Sequence, residues 1–239
     1  MLQHDQEVTH LVLLGDVVDM WRRDASGVFL ESHDILEKIL ALSKKMNVYF
    51  VAGNHDYHLL HLINKPGRRY PIQFSHDLVL PDGNYQYLFK HGWEYDPEQQ
   101  RPIMEAMCRV MSDEMGGVES AIWNILTHES GLLMWLKSVV KGGRLKQQIH
   151  KLQSRPEERL KDNLGLVEQN ACKDVKANQV LVFGHTHRPF VNKKENVANT
   201  GSWVTDATAD YNTYVELSNG QPRLYVFDGQ EITKREDLC

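Results

Sequence analysis

Short apolar runs alternate with helical repeats along the first part of the chain. Residues 8–14 form an apolar run that ends at Gly15-Asp16, and residues 47–52 form a second run followed by Gly53. Between them, residues 32–46 carry apolar side chains at helical spacing, and Ser32 is the predicted N-cap. Continuous apolar runs of this length are typical of buried strands. The pattern therefore predicts two strands with a helix between them.

The remaining strands are predicted from turn signals. Residues 76–80 and 85–90 flank Pro81-Asp82-Gly83-Asn84, which predicts a hairpin. Residues 179–183 form another buried run, which ends at Gly184. The C-terminal part is predicted to be all-β, because two strand-like runs flank a Ser-Asn-Gly-Gln turn; the runs are residues 211–217 and 222–227.

A different pattern occupies residues 97–178. Apolar residues recur at helical spacing between residues 118 and 140. A second helix is predicted to begin at Ser154, because Ser154 and Glu157 form a capping box with Pro156 in the first turn. We interpret residues 97–178 as a helical insertion into one α/β/β domain that spans residues 1–239.

Composition narrows the class of protein. The chain has 239 residues, 41% of them hydrophobic, and a net charge of −5, which gives no global signature of nucleic-acid binding. Three cysteines without a CxxC pair predict a reducing, cytoplasmic location. The apolar runs are too short to span a bilayer, and the N-terminus lacks the pattern of a signal peptide.

Four short segments that contain glycine carry the candidate chemistry, and each follows a predicted strand. They are Gly15-Asp16-Val17-Val18-Asp19, Gly53-Asn54-His55-Asp56, His91-Gly92 and Gly184-His185-Thr186-His187. Side chains at the carboxyl ends of strands commonly form the active sites of α/β proteins. Each segment alone reads as a turn or a surface feature, but the four in this order predict a metal site.

The ligand types indicate which metal is expected. Oxygen and nitrogen donors without a thiolate favour manganese, iron or zinc over calcium, and the candidates are Asp16, Asn54, His91, His185 and His187. Neutral histidines cancel little of the metal's charge. Such a centre suits the negative oxygens of a phosphate group.

These four segments resemble those of the calcineurin-like metallophosphoesterases, over about residues 8–201. The resemblance implies an α/β fold in which two β-sheets, flanked by helices, enclose two metal ions, with residues 97–178 as a helical cap. It implies hydrolysis of a phosphomonoester, a phosphodiester or a pyrophosphate by a metal-held hydroxide. Mn²⁺ is the expected cofactor, with iron and Zn²⁺ as alternatives.

The resemblance also implies a role for each site residue. Asp16 would bridge both metals. One metal would be completed by Asn54, His91 and His185, and the other would bind His187. His55 would donate a proton to the leaving oxygen, and Asp19 would orient His55.

One block of the family pattern is missing. Members carry an Asp-x-His block on a strand before the GDxxD block, and no such block precedes Gly15 here. We expect a chain that has lost upstream sequence; the alternatives are an enzyme with one tightly held metal and a non-catalytic metal-binding or scaffold relative.

The substrate is expected to be a phosphorylated small molecule or a lipid-like compound. The helical insertion resembles the cap of the UDP-2,3-diacylglucosamine pyrophosphatase branch, although that branch usually carries Arg where this chain has His55. Residues 137–161 are strongly basic, either as a surface for an anionic substrate or membrane or as a solvated helix face.

Overall fold

A parallel sheet begins the fold. The computed structural model describes residues 8–20, 25–62, 70–96, 156–204 and 211–235. The first sheet contains β1 (His10–Leu14), β2 (Asn47–Val51) and β3 (Gln73–Ser75), all parallel in that order. Helix α1 (Ala25–Leu42) connects β1 to β2. This connection brings the carboxyl ends of β1 and β2 to the same edge of the sheet.

The second sheet has five strands in the order β4-β5-β6-β8-β7. Its strands are β4 (Leu78–Asp82), β5 (Tyr85–Phe89), β6 (Gln179–Phe183), β7 (Phe190–Asn192) and β8 (Val197–Asn199). The three inner strands are parallel, whereas the two edge strands pair antiparallel. Helix α2 (Pro156–Lys173) leads into β6.

A third, antiparallel sheet follows. It contains β9 (Thr213–Ser218), β10 (Gln221–Phe227) and β11 (Ile232–Lys234). Leu224 of this sheet packs against Val191 and Ala198 of the second sheet. Two short 3-10 helices, Tyr57–Leu62 and Trp93–Tyr95, lie next to the loops that follow β2 and β5.

Strand β6 lies at the centre of the packing because its side chains alternate between two cores. Val180 and Val182 pack with Val51 of β2, so one core lies between the first and second sheets. Leu181 and Phe183 point to the other face, where they pack against Val167 and other residues of α2. The predicted α/β fold with two packed sheets is therefore confirmed.

Several predicted boundaries differ from the observed ones, most of all the start of α1. Ser32 lies inside α1 and is not its N-cap, because the helix begins at Ala25 despite the low helix propensity of Gly27 and Val28. The first hairpin strand begins at Leu78, so His76 and Asp77 precede it. Observed strand β6 coincides with the predicted residues 179–183.

The helical insertion stays largely a prediction. Residues 97–155, including Ser154 and most of the basic segment, lie outside the described residues. Of residues 97–178, the structure describes residues 156–178, which contain helix α2. Within the described part of the chain, no helix is both long and apolar enough to cross a membrane.

The packing of α2 on β6 predicts opposite results for two neighbouring positions. Val167 is fully buried against the second sheet, whereas Leu166 is 43% exposed. Val167→Ala should lower the free energy of unfolding by about 2 kcal/mol, since it removes two buried carbons and leaves a cavity. Leu166→Ala should change it by less than about 0.5 kcal/mol.

Urea unfolding of both variants checks this expectation. A loss for Leu166→Ala equal to or larger than that for Val167→Ala would show that the other face of α2 packs against the sheet.

Candidate metal centre

The candidate site lies where the carboxyl ends of strands from the first two sheets meet. Asp16 follows β1, Asn54 and His55 follow β2, and His91 and His185 follow β5 and β6. Two hydrogen bonds connect these loops, the first between the two sheets and the second within the five-stranded sheet. The imidazole Nδ1 of His91 lies 3.0 Å from the carbonyl oxygen of Leu14, and the N–H of Gly184 donates to the carbonyl of His91 at 2.8 Å.

Three of the predicted ligands are brought together here. One ligand atom each of Asp16, His91 and His185 lies within 4.8 Å of the others. The carbonyl of Leu14 can only accept a hydrogen bond, so Nδ1 of His91 carries the hydrogen in this contact. Atom Nε2 of His91 therefore faces Oδ2 of Asp16, at 3.1 Å.

This arrangement calls for a positive charge between the two side chains. A neutral imidazole presents a lone pair at Nε2, and a lone pair beside a carboxylate is repulsive unless a proton or a cation lies between them. Burial favours the neutral imidazole, yet the Asp16 carboxylate raises the pKa of His91 to about 9. The donor set of oxygen and nitrogen atoms fits a divalent metal in the place of that proton.

The charge of Asp16 is stabilised in the same way. Burial favours its neutral acid, but the charge and hydrogen bond of His91 and the neighbouring His55 hold the pKa of Asp16 well below its ordinary value. The N–H of His55 also donates to Oδ1 of Asp16 at 2.9 Å. Burial also favours the neutral form of His185, and here it prevails. It lowers the pKa of His185, and the neutral imidazole is the form that a metal ligand needs.

Two glycines permit the close approach of these loops. A Cβ atom at Gly15 would collide with Nδ1 of His91, and one at Gly53 would collide with Oδ1 of Asp16. Any larger residue at either position would push a predicted ligand away. Gly15 and Gly53 are therefore each required by the position of a predicted ligand.

Seven described non-glycine residues have positive φ angles: three are predicted ligands, and the other four are asparagines, which adopt this conformation more readily. Asp16, His185 and His187 have positive φ angles of 52°, 64° and 58°. Non-glycine residues rarely adopt this conformation, which costs about 1–3 kcal/mol each and clusters at functional sites. Its occurrence at three predicted ligands indicates that the fold maintains these side chains in defined directions.

The two predicted catalytic residues are in contact. Nδ1 of His55 lies 3.0 Å from Oδ1 of Asp19, and both side chains are partly buried. Burial disfavours the imidazolium, but the hydrogen bond that His55 donates to Asp19 and the charges of Asp16 and Asp19 raise the pKa of His55 above its ordinary value. Their catalytic roles stay predictions.

Asn54 and His187 occupy different positions relative to this group. Asn54 is buried, with 4% of its surface exposed, in the loop that also carries His55. His187 lies two residues beyond His185, but it is not a member of the three-residue donor group. The assignment of His187 to a second metal therefore stays a prediction.

Asp56 is a site residue that the sequence reasoning missed. Its carboxylate is fully buried and accepts the N–H groups of Gly53 at 2.6 Å and Val17 at 2.8 Å. The two loops therefore hold each other: Asp16 accepts the N–H of His55, and Asp56 accepts the N–H of Val17. Burial and the nearby Asp16 raise the pKa of Asp56 to about 7. The signal was available, since Asp56 ends the segment Gly53-Asn54-His55-Asp56.

A second set of buried polar groups supports the loop of His185. The amide of Asn199, itself fully buried, donates to the carbonyl of Gly184 at 3.0 Å and to Oγ1 of Thr186 at 2.9 Å. Thr186 in turn donates to Glu168 of α2 at 3.4 Å. The direction of His185 thus depends on β8 and on α2.

The contacts of Asp56 predict a large effect of a small substitution. Asp56→Asn should lower the free energy of unfolding by about 1–3 kcal/mol, since the amide nitrogen replaces one of the two oxygens that accept backbone N–H groups and leaves a buried donor without an acceptor. It should also weaken metal binding, because both ligand loops lose a shared anchor.

Asp228→Asn is the matched control. Asp228 also accepts two backbone N–H groups, from Gln230 at 2.9 Å and Glu231 at 2.8 Å, but it lies in an exposed turn outside the site. Urea unfolding and metal titration compare the two variants. Equal effects of the two substitutions on both measurements would show that Asp56 has no special role at the site.

Comparison with known proteins places this geometry in a family. A sequence model of the family described as calcineurin-like phosphoesterase matches residues 2–189, which include all four motif segments. No curated protein matches the chain.

Solved structures show only weak overall likeness. Vacuolar protein sorting 29 from Cryptosporidium parvum is 15% identical, with 95% of this chain and 80% of that chain covered and a TM-score of 0.38. A conserved uncharacterized protein from Streptococcus pneumoniae TIGR4, a predicted phosphoesterase, is 12% identical, with 95% and 97% covered and a TM-score of 0.33.

The family match covers most of the chain, and the structure brings three of the predicted ligands inside the matched region together around Asp16. The chain belongs to the calcineurin-like phosphoesterase family.

Proposed function

We propose that this protein is a metal-dependent phosphoesterase that hydrolyses a phosphomonoester, a phosphodiester or a pyrophosphate. The observation that carries the proposal is that one histidine, His55, contacts both a candidate metal ligand and a carboxylate that orients its ring. His55 donates its backbone N–H to the candidate ligand Asp16 and pairs its imidazole with Asp19. A protein that only bound metal would have no use for the His55–Asp19 pair.

In this proposal the metal is held by Asp16, Asn54, His91 and His185, with His187 as the ligand of a second ion. A bound divalent metal lowers the pKa of water and neutralises charge on phosphoryl oxygens. Gly15 and Gly53 allow the approach of the ligand loops, and Asp56 fixes their separation. These residues position the ligands before the substrate arrives.

His55 is proposed as the general acid. In its contact with Asp19, Nδ1 carries the hydrogen that the carboxylate accepts, which leaves Nε2 as the atom that exchanges a proton. In the protonated imidazole, Nε2 donates that proton to the leaving oxygen. Asp19 stabilises the protonated form and fixes the orientation of the ring.

The preferred cofactor in this proposal is Mn²⁺, with iron and Zn²⁺ as alternatives, because the donors include no thiolate. The proposed substrate is a phosphorylated small molecule or a lipid-like phosphate ester in the cytoplasm, reached through peripheral contact if it is membrane-bound. Nucleic acid is not proposed as a substrate, given the net charge of −5.

Removal of the metal should abolish turnover. Treatment with a chelator should eliminate hydrolysis of an aryl phosphate monoester or diester, and Mn²⁺ should restore it. Asp16→Asn should prevent this restoration and the binding of Mn²⁺, because the central carboxylate is lost. Asp34→Asn, which alters a carboxylate that is 76% exposed on α1, should behave like the unmodified protein.

Two results would contradict this expectation. One is hydrolysis that persists after the chelator has removed all bound metal. The other is an Asp16→Asn variant that binds Mn²⁺ with unchanged affinity.

Substitution of His55 should separate catalysis from metal binding. His55→Ala should lower kcat by about 10²–10⁴-fold, the usual contribution of a general acid, with Mn²⁺ affinity close to that of the unmodified protein. His33→Ala is the control, since His33 lies on α1 with its side chain 55% exposed. Steady-state kinetics and metal titration provide the two readouts.

Unchanged kcat in His55→Ala would remove His55 from the mechanism. Stoichiometric metal binding without turnover toward any phosphate ester would instead support the alternative function, a non-catalytic metal-binding relative.

A further inference from the structure

The turn after His91 holds a carboxylate that the proposed function has not used. The 3-10 helix Trp93–Tyr95 begins directly after His91-Gly92 and ends at Asp96, whose N–H donates to the carbonyl of Trp93 at 3.1 Å. The Trp93 side chain is fully buried.

Further contacts fix both sides of this turn. Glu94 accepts the N–H of Gly92 at 2.9 Å, and the hydroxyl of Tyr95 donates to Asp174 at 2.7 Å. Asp96 therefore has a defined position relative to His91, five residues before it in the chain.

The side chain of Asp96 lies against His185. Oδ2 of Asp96 is 3.5 Å from Nε2 of His185, and the two side chains are only 14% and 10% exposed. Asp96 is not a member of the donor group formed by Asp16, His91 and His185. It contacts the imidazole of His185 from outside that group.

We propose that Asp96 is a positioning residue that accepts the Nε2 hydrogen of His185 and so directs Nδ1 of His185 toward the metal. This inference rests on the proposed metal centre. A neutral imidazole carries one hydrogen and one lone pair, so a carboxylate at Nε2 leaves the lone pair on Nδ1. Carboxylates and carbonyls that hold the second nitrogen of a ligating histidine commonly fix its tautomer in this way.

The two histidines of the centre then use opposite nitrogens. The Leu14 carbonyl accepts from Nδ1 of His91, so His91 binds through Nε2. Asp96 accepts from Nε2 of His185, so His185 binds through Nδ1. Residues 91–96 therefore contribute to both ligands, because His91 itself binds the metal and Asp96 orients His185.

Substitution of Asp96 tests the role through metal affinity. Asp96→Ala should raise the Kd for Mn²⁺ by about 10–100-fold, the usual cost of losing such a partner. Asp96→Asn should raise this Kd by less, because its amide oxygen can still accept the Nε2 hydrogen of His185. Asp34→Asn is the control, since Asp34 pairs with His33 on α1, is 76% exposed and belongs to neither of the described groups of possible metal ligands.

Spectroscopy gives a readout that a merely structural role would not change. In the full chain with isotope-labelled histidine and bound cadmium, NMR coupling to the metal should appear at Nδ1 of His185 and at Nε2 of His91. In Asp96→Ala, His185 should show a mixture of tautomers in the metal-free protein, while urea unfolding of that form should match the Asp34→Asn control.

Two outcomes would overturn the role of Asp96 while leaving the proposed function intact. They are metal coupling at Nε2 of His185, and Mn²⁺ affinity in Asp96→Ala that equals that of the control. Failure of the unmodified chain to bind either metal would overturn the proposed metal centre and this inference with it.

Discussion

The site depends on one contact between the first two sheets, in which His91 reaches from β5 to the end of β1. Its Nδ1 donates to the carbonyl of Leu14, and its Nε2 faces Asp16 at 3.1 Å. The core between the sheets, formed by Val51 and its neighbours, brings these two strand ends together. A shift of one sheet along the other would separate His91 from Asp16. The packing of the two sheets therefore determines the distance between these two ligands.

The negative charge buried at this contact must be compensated by nearby positive charge and by backbone N–H groups. Asp56 is fully buried, and burial and the charge of Asp16 raise its pKa to about 7 although both carboxylates are partly compensated. The compensation comes from N–H groups of the loops and from His91. A divalent cation would add to it, so metal binding is expected to stabilise the folded chain as well as to enable chemistry.

Much of this site could be predicted because its residues lie next to strong local signals. Strand β6 is a continuous apolar run, and the glycine after it marks where His185 begins. The strands β3, β7 and β8 have three residues each, which is too short for a periodic pattern. The start of α1 was misplaced because Ser32 suits an N-cap, while the helix propensities of Ala25–Glu31 are too weak to decide against it.

Roles that depend on tertiary contacts could not be predicted from local signals. Asp56 lies inside a motif segment and Asp96 lies outside all four, but the sequence does not show which loop either side chain faces in the folded chain. Both act on atoms that are distant in sequence: Asp56 on the N–H of Val17, and Asp96 on the imidazole of His185. Metal-ligand motifs show which residues can bind, whereas the carboxylates around them determine the direction in which those residues bind. Asp56 connects two loops of the first sheet and Asp96 connects two loops of the second, so each sheet contributes a carboxylate that affects metal binding without being a predicted ligand.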